Sequence, residues 1–252
     1  MELSKRMQAV ADQVPKGSIA ADVGCDHGYV AIYLVQKEIC PKVFAMDVRT
    51  GPLCRAKEHI RQYGLEEKIE VILSDGLKEL PETDRGPAAD TLVTAGMGGP
   101  LVIKILSESL SKVKRMKTLV LQPQSEVEQV RRFLPQIGYQ IVAEDMIFEE
   151  GKYYPLMKAC NRAFIQEEES FIPEEAQFLK EWGYLFGEQL LKEKHPVLKE
   201  FLLYRLEKNR ELTEHLKTAA SGQSEKGAVR LEEIRRECDT MEQILRQIYK
   251  TG

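Results

Sequence analysis

Long apolar segments are missing from this sequence. No run of about 18 apolar residues, the length that a membrane-spanning helix needs, occurs in the 252 residues. Residues 1–16 carry Lys5, Arg6, Asp12 and Lys16 instead of the continuous apolar stretch of a secretion signal. We therefore expect a cytoplasmic protein without a membrane span.

Paired cysteines are missing as well. The chain has no C-x-x-C spacing and no histidine cluster near a cysteine, which argues against a disulfide framework and against a zinc site. The sequence thus predicts reduced thiols and no bound metal. The five cysteines are Cys25, Cys40, Cys54, Cys160 and Cys238.

A surplus of positive charge is also absent, because the formal net charge is −4. Residues 1–164 hold equal numbers of basic and acidic side chains, and the excess acid lies beyond them. Each local basic cluster is either a solvated face or a contact for phosphate, and the sequence leaves both open. The clusters are Lys5 with Arg6, the group Arg49, Arg55, Lys57 and Arg61, and residues 112–117.

Short apolar runs alternate with helical segments from residue 18 to residue 160, as in βαβ units around a parallel sheet. Two further runs, Tyr139–Ile147 and Tyr153–Ala159, flank Gly151 with no helix between them, which predicts an antiparallel hairpin. Five parallel strands and a final hairpin are typical of the seven-stranded, Rossmann-like α/β sheet of class I methyltransferases. The predicted parallel strands are Ile19–Val23, Val43–Met46, Ile69–Leu73, Thr91–Ala95 and Thr118–Leu121.

The chain beyond this region has the pattern of a small all-helical domain. We predict a boundary between residues 1–163 and 164–252, because acidic residues and Pro173 follow and helical periodicity begins. Two apolar seams predict an antiparallel helical hairpin of coiled-coil type, which either stabilises or dimerises the protein or contacts nucleic acid. The seams are Leu231, Ile234, Cys238, Met241, Leu245 and Ile248, and Leu198, Leu202, Leu212 and Leu216.

A glycine turn follows the first predicted strand, where a Rossmann-like sheet binds its nucleotide. Gly24 and Gly28 frame the turn, and Asp26 stands where a dinucleotide-binding motif has its middle glycine. This replacement disfavours a pyrophosphate and favours a cationic ligand such as S-adenosylmethionine, whose amine Asp22 or Asp26 could hold. The alternative is an ordinary strand-to-helix turn.

Acidic residues also follow the next two strands. Asp47 ends the second strand, where an acid accepts hydrogen bonds from ribose hydroxyls, and Asp75 precedes Gly76 after the third strand, in a position to meet an adenine ring. Either alone is commonly a loop-capping residue. Carboxylates at successive strand ends favour a ligand site, because ligands bind at that edge of open α/β sheets.

Two loops after the fourth and fifth strands are candidates for the substrate side. Gly96, Met97 and Gly98 form a loop that allows close approach of a flat ring, and Gln122 and Gln124 offer amides to the edge of a base. The alternatives are a plain turn and a helix cap. We predict Met97, Gly98, Gln122 and Gln124 as the catalytic group.

Four motifs together resemble the bacterial TrmK family of tRNA (adenine-22-N1)-methyltransferases. They are residues 22–29, 95–99 (AGMGG), 121–124 (LQPQ) and 149–154 (EEGKYY). The resemblance covers residues 1–160 strongly, and the helical C-terminal part is also similar. Gln124 and Cys25 depart from the family, in which Asn and Ser are more common at these positions.

The resemblance implies methyl transfer from S-adenosylmethionine to N1 of adenine 22 in tRNA. We expect a monomer or weak homodimer. It implies that Lys5 and Arg6 meet tRNA, whereas His27 either borders the cofactor or is a packed structural histidine. We predict that Tyr29 is a core residue. The residues expected around the cofactor are Asp22, Gly24, Asp26, His27, Gly28, Asp47, Asp75, Gly76, Gly96 and Met97.

Three other functions stay open at this point. One is a methyltransferase acting on another RNA, a protein or a small molecule, and another is a non-catalytic protein that binds S-adenosylmethionine or RNA. The third, an NAD-linked oxidoreductase, is disfavoured by Asp26 and by the terminal hairpin.

Overall fold

The computed structural model describes residues 1–84, 86–165, 180–218 and 224–250. The chain divides into two compact units, Met1–Ala176 and Gln177–Gly252. The sequence-predicted boundary after residue 163 stays a prediction. The described part of the chain contains no helix with the length and apolar character that crossing a membrane requires.

The first unit is built on a seven-stranded sheet. Its strands are β1 Ala20–Val23, β2 Val43–Asp47, β3 Ile69–Leu73, β6 Thr91–Met97, β7 Thr118–Pro123, β8 Tyr139–Glu149 and β9 Lys152–Asn161. Their order across the sheet is β3-β2-β1-β6-β7-β9-β8. The pairs β3–β2, β2–β1, β1–β6 and β6–β7 are parallel, and β9 is antiparallel to both β7 and β8. This arrangement confirms the predicted class I methyltransferase sheet.

Helices cover the sheet and follow its parallel strands. The strands β1, β2 and β7 are buried along their whole length, so their apolar side chains supply both faces of the core. The helices are α1 Lys5–Asp12, α2 Tyr29–Gln36, α3 Thr50–Gln62, α4 Gly99–Glu108, α5 Leu110–Val113 and α6 Val127–Gln136. A short hairpin of β4 Glu82–Thr83 and β5 Gly86–Pro87, which the sequence did not predict, lies between β3 and β6.

The direction of the chain across the sheet reverses at β1. The chain runs outward from β1 through β2 to β3, and it then returns to place β6 on the other side of β1. The two halves diverge at the carboxyl ends of β1 and β6, and a crevice at this switch point is where open α/β sheets bind ligands.

A buried ion pair joins α6 to the edge of the sheet. Arg131 Nε donates to Glu144 Oε1 at 2.8 Å, and both side chains are almost inaccessible to solvent. Arg131→Leu would leave the carboxylate of Glu144 buried without its cation. We expect it to lower the free energy of unfolding of the first unit by about 3–5 kcal/mol.

Urea denaturation followed by circular dichroism measures this effect. The exposed pair of Arg132 and Glu128 on the same helix is the matched control. Arg132→Leu should cost about 0–1 kcal/mol. Equal losses in the two variants would contradict the importance of the buried pair.

The basic run at residues 112–117 has structural contacts. Lys112 Nζ donates to the carbonyl oxygens of Leu77, Lys78 and Leu80 at 2.6–3.1 Å. Lys117 pairs with Asp90 at 3.2 Å. Lys112 and Lys117 thus serve the packing of the fold, which argues against a phosphate contact for these two residues.

The second unit contains the predicted antiparallel helix pair. Its described helices include α7 Glu188–Lys192, α8 Pro196–Thr218 and α9 Glu225–Gln247. The Tyr249 hydroxyl, after α9, donates to the carbonyl of His195, before α8, at 3.0 Å, so the two helices run in opposite directions.

The predicted seam of α8 is partly wrong. Leu198 and Leu202 are buried as expected, but Leu212 is exposed. The buried stripe instead continues through Leu206 and Asn209, because spacings of four and three residues keep these positions on one face. A polar residue in such a seam fixes the register of the two helices.

Candidate active site

The turn after β1 is held in a conformation that glycine favours. Gly24 and Gly28 have φ angles of 76° and 75°, and Asp26 between them has a φ of 49°. The backbone N–H groups of Gly24 and Cys25 both donate to the carbonyl of Met46, at 2.8 and 3.0 Å. The turn is therefore anchored on β2.

Met97 closes the other side of this turn. A Cβ atom at Gly24 would overlap Cε of Met97, so the methionine side chain from the end of β6 lies directly on the glycine. The structure thus brings together two of the predicted site residues across the switch point.

Asp22 is a buried acid of the crevice. Burial raises the pKa of Asp22 to about 7, a hydrogen bond from the Ala31 N–H opposes the rise, and the charge of Asp47 adds to it. Oδ2 of Asp22 is buried and has no hydrogen-bond partner among the described residues. A buried carboxylate oxygen in this state fits a cationic ligand, because such a group is costly unless it is paired.

Two further carboxylates lie near Asp22. Asp47 is buried, and its Oδ1 accepts a hydrogen bond from the backbone N–H of Arg49 at 2.9 Å. Burial raises the pKa of the Cys25 thiol, and the charges of Asp22, Asp47 and Asp26 raise it further. The three acids therefore act on Cys25 together and give the crevice a negative potential.

Asp75 has a different environment from Asp22 and Asp47. Its exposed carboxylate pairs with Lys78, which also contacts Glu108 at 3.0 Å. The hydrogen bond and charge of Lys78 lower the pKa of Asp75. The neighbouring Gly76 has a φ of 65°, and a Cβ there would lie 3.2 Å from Ile105, so this glycine packs against α4.

Two exposed apolar side chains at this edge escaped the sequence analysis. Val48, directly after Asp47, is 62% exposed, and Leu73, the register partner of Asp47 in β3, is 53% exposed. Large apolar side chains at the ligand-binding edge of a sheet suit the faces of a flat ring. The sequence carried a signal for both residues, because each apolar side chain stands at or directly after the end of a strand, next to a polar loop residue.

His27 belongs to a group of three rings beside the turn. Its ring is nearly parallel to that of Tyr29 at 5.6 Å and lies 5.8 Å from that of His59. Nδ1 of His59 lies 3.0 Å from the carbonyl oxygen of His27, and Nδ1 of His27 is buried without a hydrogen-bond partner among the described residues. Tyr29 is 43% exposed, so its prediction as a core residue was wrong. It opens α2, where the preceding glycine turn leaves it at the surface.

The glycine loop after β6 packs against the turn after β7. The N–H of Gly99 donates to the carbonyl of Ser125 at 3.0 Å, and the N–H of Gln124 donates to the carbonyl of Met97 at 2.8 Å. A Cβ at Gly99 would lie 2.5 Å from the carbonyl oxygen of Ser125. The small residues therefore let two loops meet backbone to backbone.

The two predicted glutamines differ in exposure. Gln122 is fully buried, and its Oε1 accepts a hydrogen bond from the N–H of Gly96 at 3.1 Å. Gln124 is exposed next to Gly96, whose φ is 77°. Of the two amides, only that of Gln124 reaches the solvent-facing side of the loop.

Lys5 and Arg6 likewise differ in position. Lys5 is exposed. The side chain of Arg6 is only 19% exposed, and its guanidinium contacts Gln122, Glu149 and the ring of Tyr154. The structure places Arg6 under the loops and leaves Lys5 on the surface.

Comparison with known proteins agrees with this geometry. Residues 3–157 match the family described as methyltransferase domain. The whole chain is 30% identical over 254 residues to the tRNA (adenine(22)-N(1))-methyltransferase of Bacillus subtilis and covers 99% of that protein.

Solved structures show the same similarity. The crystal structure of the Bacillus subtilis m1A22 tRNA methyltransferase TrmK has a TM-score of 0.78 at 30% identity, with 97% of this chain and 99% of that chain covered. A Streptococcus pneumoniae structure in complex with S-adenosyl-L-methionine has a TM-score of 0.75 at 31% identity, with 97% and 100% covered.

Proposed function

The chain belongs to the tRNA (adenine(22)-N(1))-methyltransferase family, and from this we propose that it transfers a methyl group from S-adenosylmethionine to N1 of adenine 22 in tRNA. The observation that carries the proposal is the buried Oδ2 of Asp22 at the switch point, which has no hydrogen-bond partner among the described residues, beside the contact of Gly24 with Met97. The negative crevice fits a positively charged nucleoside, and the glycine loop beside it fits a purine.

The residues of the crevice divide the contacts to the cofactor between them. Asp22 would hold the ammonium group, and the side of Asp47 away from Arg49 would meet the ribose hydroxyls. Val48 and Leu73 would cover the faces of the adenine ring, and Asp26 would add negative charge at the entrance. When bound, S-adenosylmethionine supplies a methyl group on a positively charged sulfur atom.

The protein has no proton to remove before the transfer. Adenine N1 carries a free lone pair, so the chain must expose the base, exclude water and align N1 with the methyl group. N1 lies on the pairing edge, so the base must leave any pair and enter the site. The Gly96–Gly98 loop and the exposed amide of Gln124 border the space that it would occupy.

The function is tested with labelled S-adenosylmethionine and two tRNA transcripts that differ only at position 22. We expect 1-methyladenosine, identified by mass spectrometry after digestion, in the transcript with adenine 22 and no transfer to the transcript with guanine 22. Transfer to both would point to another target base. Absence of transfer from a protein that binds the cofactor would support a non-catalytic binding protein.

The acids at the crevice should differ in their effect on cofactor binding. We expect Asp47→Ala to weaken the binding of S-adenosylmethionine about tenfold, because it removes a charged acceptor for hydroxyl groups. Asp75→Ala should weaken it less than about threefold, since Lys78 already engages the exposed carboxylate of Asp75.

Isothermal titration calorimetry on both variants measures this difference. A larger loss for Asp75→Ala than for Asp47→Ala would reverse the assignment.

Because the proposed substrate is tRNA, we expect the protein to act in the cytoplasm. The sequence prediction of a monomer or weak homodimer can be checked by sedimentation velocity.

A further inference from the structure

Arg6 connects four elements that meet beneath the active-site loops. It lies on α1, and its backbone N–H donates to Oε1 of Glu149, at the end of β8, at 3.3 Å. Its guanidinium lies 4.7 Å from the ring centre of Tyr154 in β9, and Nη1 donates to Oε1 of Gln122 in β7 at 3.0 Å. One residue therefore ties the N-terminal helix to three strand ends.

The amide of Gln122 carries this connection to the glycine loop. Its Oε1 accepts hydrogen bonds from Arg6 and from the backbone N–H of Gly96 at the same time. Its Nε2 donates to the carbonyl of Pro123 at 3.3 Å. If the amide rotated by 180°, its NH₂ group would face two donors, so the guanidinium selects the orientation that holds Gly96.

The remaining surroundings of Arg6 favour an internal role. Glu149 faces the guanidinium, with its Oε2 4.0 Å from Nε, and no hydrogen-bond partner of Nε is present among the described residues. A Cβ at Gly96 would lie 3.6 Å from Nη1, so the guanidinium is in contact distance of the loop itself. Lys5, the adjacent residue, is exposed and has none of these contacts in the described structure.

We propose that Arg6 is a positioning residue for methyl transfer, which holds the Gly96–Met97 end of β6 through the amide of Gln122, and that it does not contact tRNA phosphates. This inference rests on the proposed function. The two adjacent basic residues would then have different roles. Arg6 acts inside the protein, whereas Lys5 lies on the surface and can contact RNA.

The test compares Arg6→Ala and Lys5→Ala with wild type in steady-state methylation and in tRNA binding at several salt concentrations. Arg6→Ala should lower kcat at least tenfold while KM for tRNA stays within threefold and the salt dependence of binding is unchanged. Lys5→Ala should raise KM, keep kcat, and reduce the slope of log K against log salt by about 1. Arg132→Ala removes an arginine elsewhere and should match wild type.

Two more variants separate positioning from general loss of structure. Arg6→Lys keeps a cation that can donate to Gln122, so it should recover at least threefold of the kcat lost in Arg6→Ala. Glu149→Gln keeps a hydrogen-bond acceptor for the N–H of Arg6 and should lower kcat less than Arg6→Ala. Should Arg6→Ala fail to fold by circular dichroism, Arg6→Lys must still show reduced kcat at unchanged KM.

Two results overturn the inference. One is a reduced salt slope with unchanged kcat in Arg6→Ala, which would make Arg6 a phosphate contact, and the other is wild-type behaviour in every readout. Inactivity of the wild-type protein on tRNA would instead count against the proposed function.

Discussion

Asp22→Asn is expected to weaken the binding of S-adenosylmethionine about 100-fold at pH 7.5. The variant keeps the size of the side chain but removes the only charge that the buried Oδ2 can offer to an ammonium group. A hydrogen bond between two charged groups in a buried site is worth about 1.5–3 kcal/mol, which corresponds to about 10- to 150-fold in affinity. Isothermal titration calorimetry measures the loss.

The same residue should make cofactor binding depend on pH. The pKa of Asp22 is raised to about 7 in the cofactor-free protein. Below that pH the carboxyl group is protonated and must release its proton before it can pair with a cation. Affinity of the wild type should therefore fall as pH decreases from 7.5 to 5.5, approaching tenfold per unit, while Asp22→Asn should be nearly flat over this range.

Stability without cofactor is the control for this variant. The folded-state pKa of Asp22 lies above its ordinary value of 3.8, so the folded state binds the proton more tightly than the unfolded state does. The stability of the wild type should fall as pH rises from 3.8 to about 7 and then level off as far as Asp22 is concerned. Asp22→Asn avoids this cost and should be at least as stable as wild type at pH 7.5. A less stable variant with wild-type affinity would contradict the assignment.

Much of the crevice could be predicted because its residues follow strands. Asp22, Gly24 and Asp47 stand at the ends of apolar runs, and the carboxyl ends of parallel strands share one edge of a sheet. The order of motifs along the chain therefore translates directly into a common location. The same reasoning located the glycine loop at residues 96–99 beside them.

The contacts of individual side chains could not be predicted in this way. Arg6 and Gln122 are 116 positions apart in the sequence, and nothing in the local pattern of either indicates that they meet. Asp75 follows a strand as Asp47 does, yet Lys78, three residues later, engages it. The position of a strand end determines where the backbone lies. The burial and pairing of a polar side chain depend on which neighbouring side chains contact it.

The glycine loop has a role that its sequence alone did not reveal. The sequence suggested that small residues make room for a base, whereas the structure shows that Gly99 also makes room for another loop. A Cβ at Gly99 would lie 2.5 Å from the carbonyl oxygen of Ser125 and 2.8 Å from that of Glu126. Both are backbone atoms, and Glu126 already has a φ of 48°, so the turn has little freedom to move away.

Gly99→Ala is therefore expected to lower kcat about 100-fold with a much smaller change in cofactor affinity. The added methyl group must push the turn after β7 away from the loop after β6, which shifts Met97 and Gln124 relative to each other. A displacement of about 1 Å in an active site costs about 100-fold in rate. Steady-state methylation of tRNA, together with calorimetry of cofactor binding, measures the two effects separately.

Gly98→Ala is the matched comparison for this variant. A Cβ at Gly98 would lie 3.1 Å from Oγ of Ser125, a side-chain atom that can rotate away, and the φ of −67° at Gly98 suits alanine. We expect a loss of less than about tenfold, since the backbones of the two loops keep their spacing. Equal losses in the two variants would mean that the rate depends more on the space that the base enters beside the glycine loop than on the contact of this loop with the turn after β7.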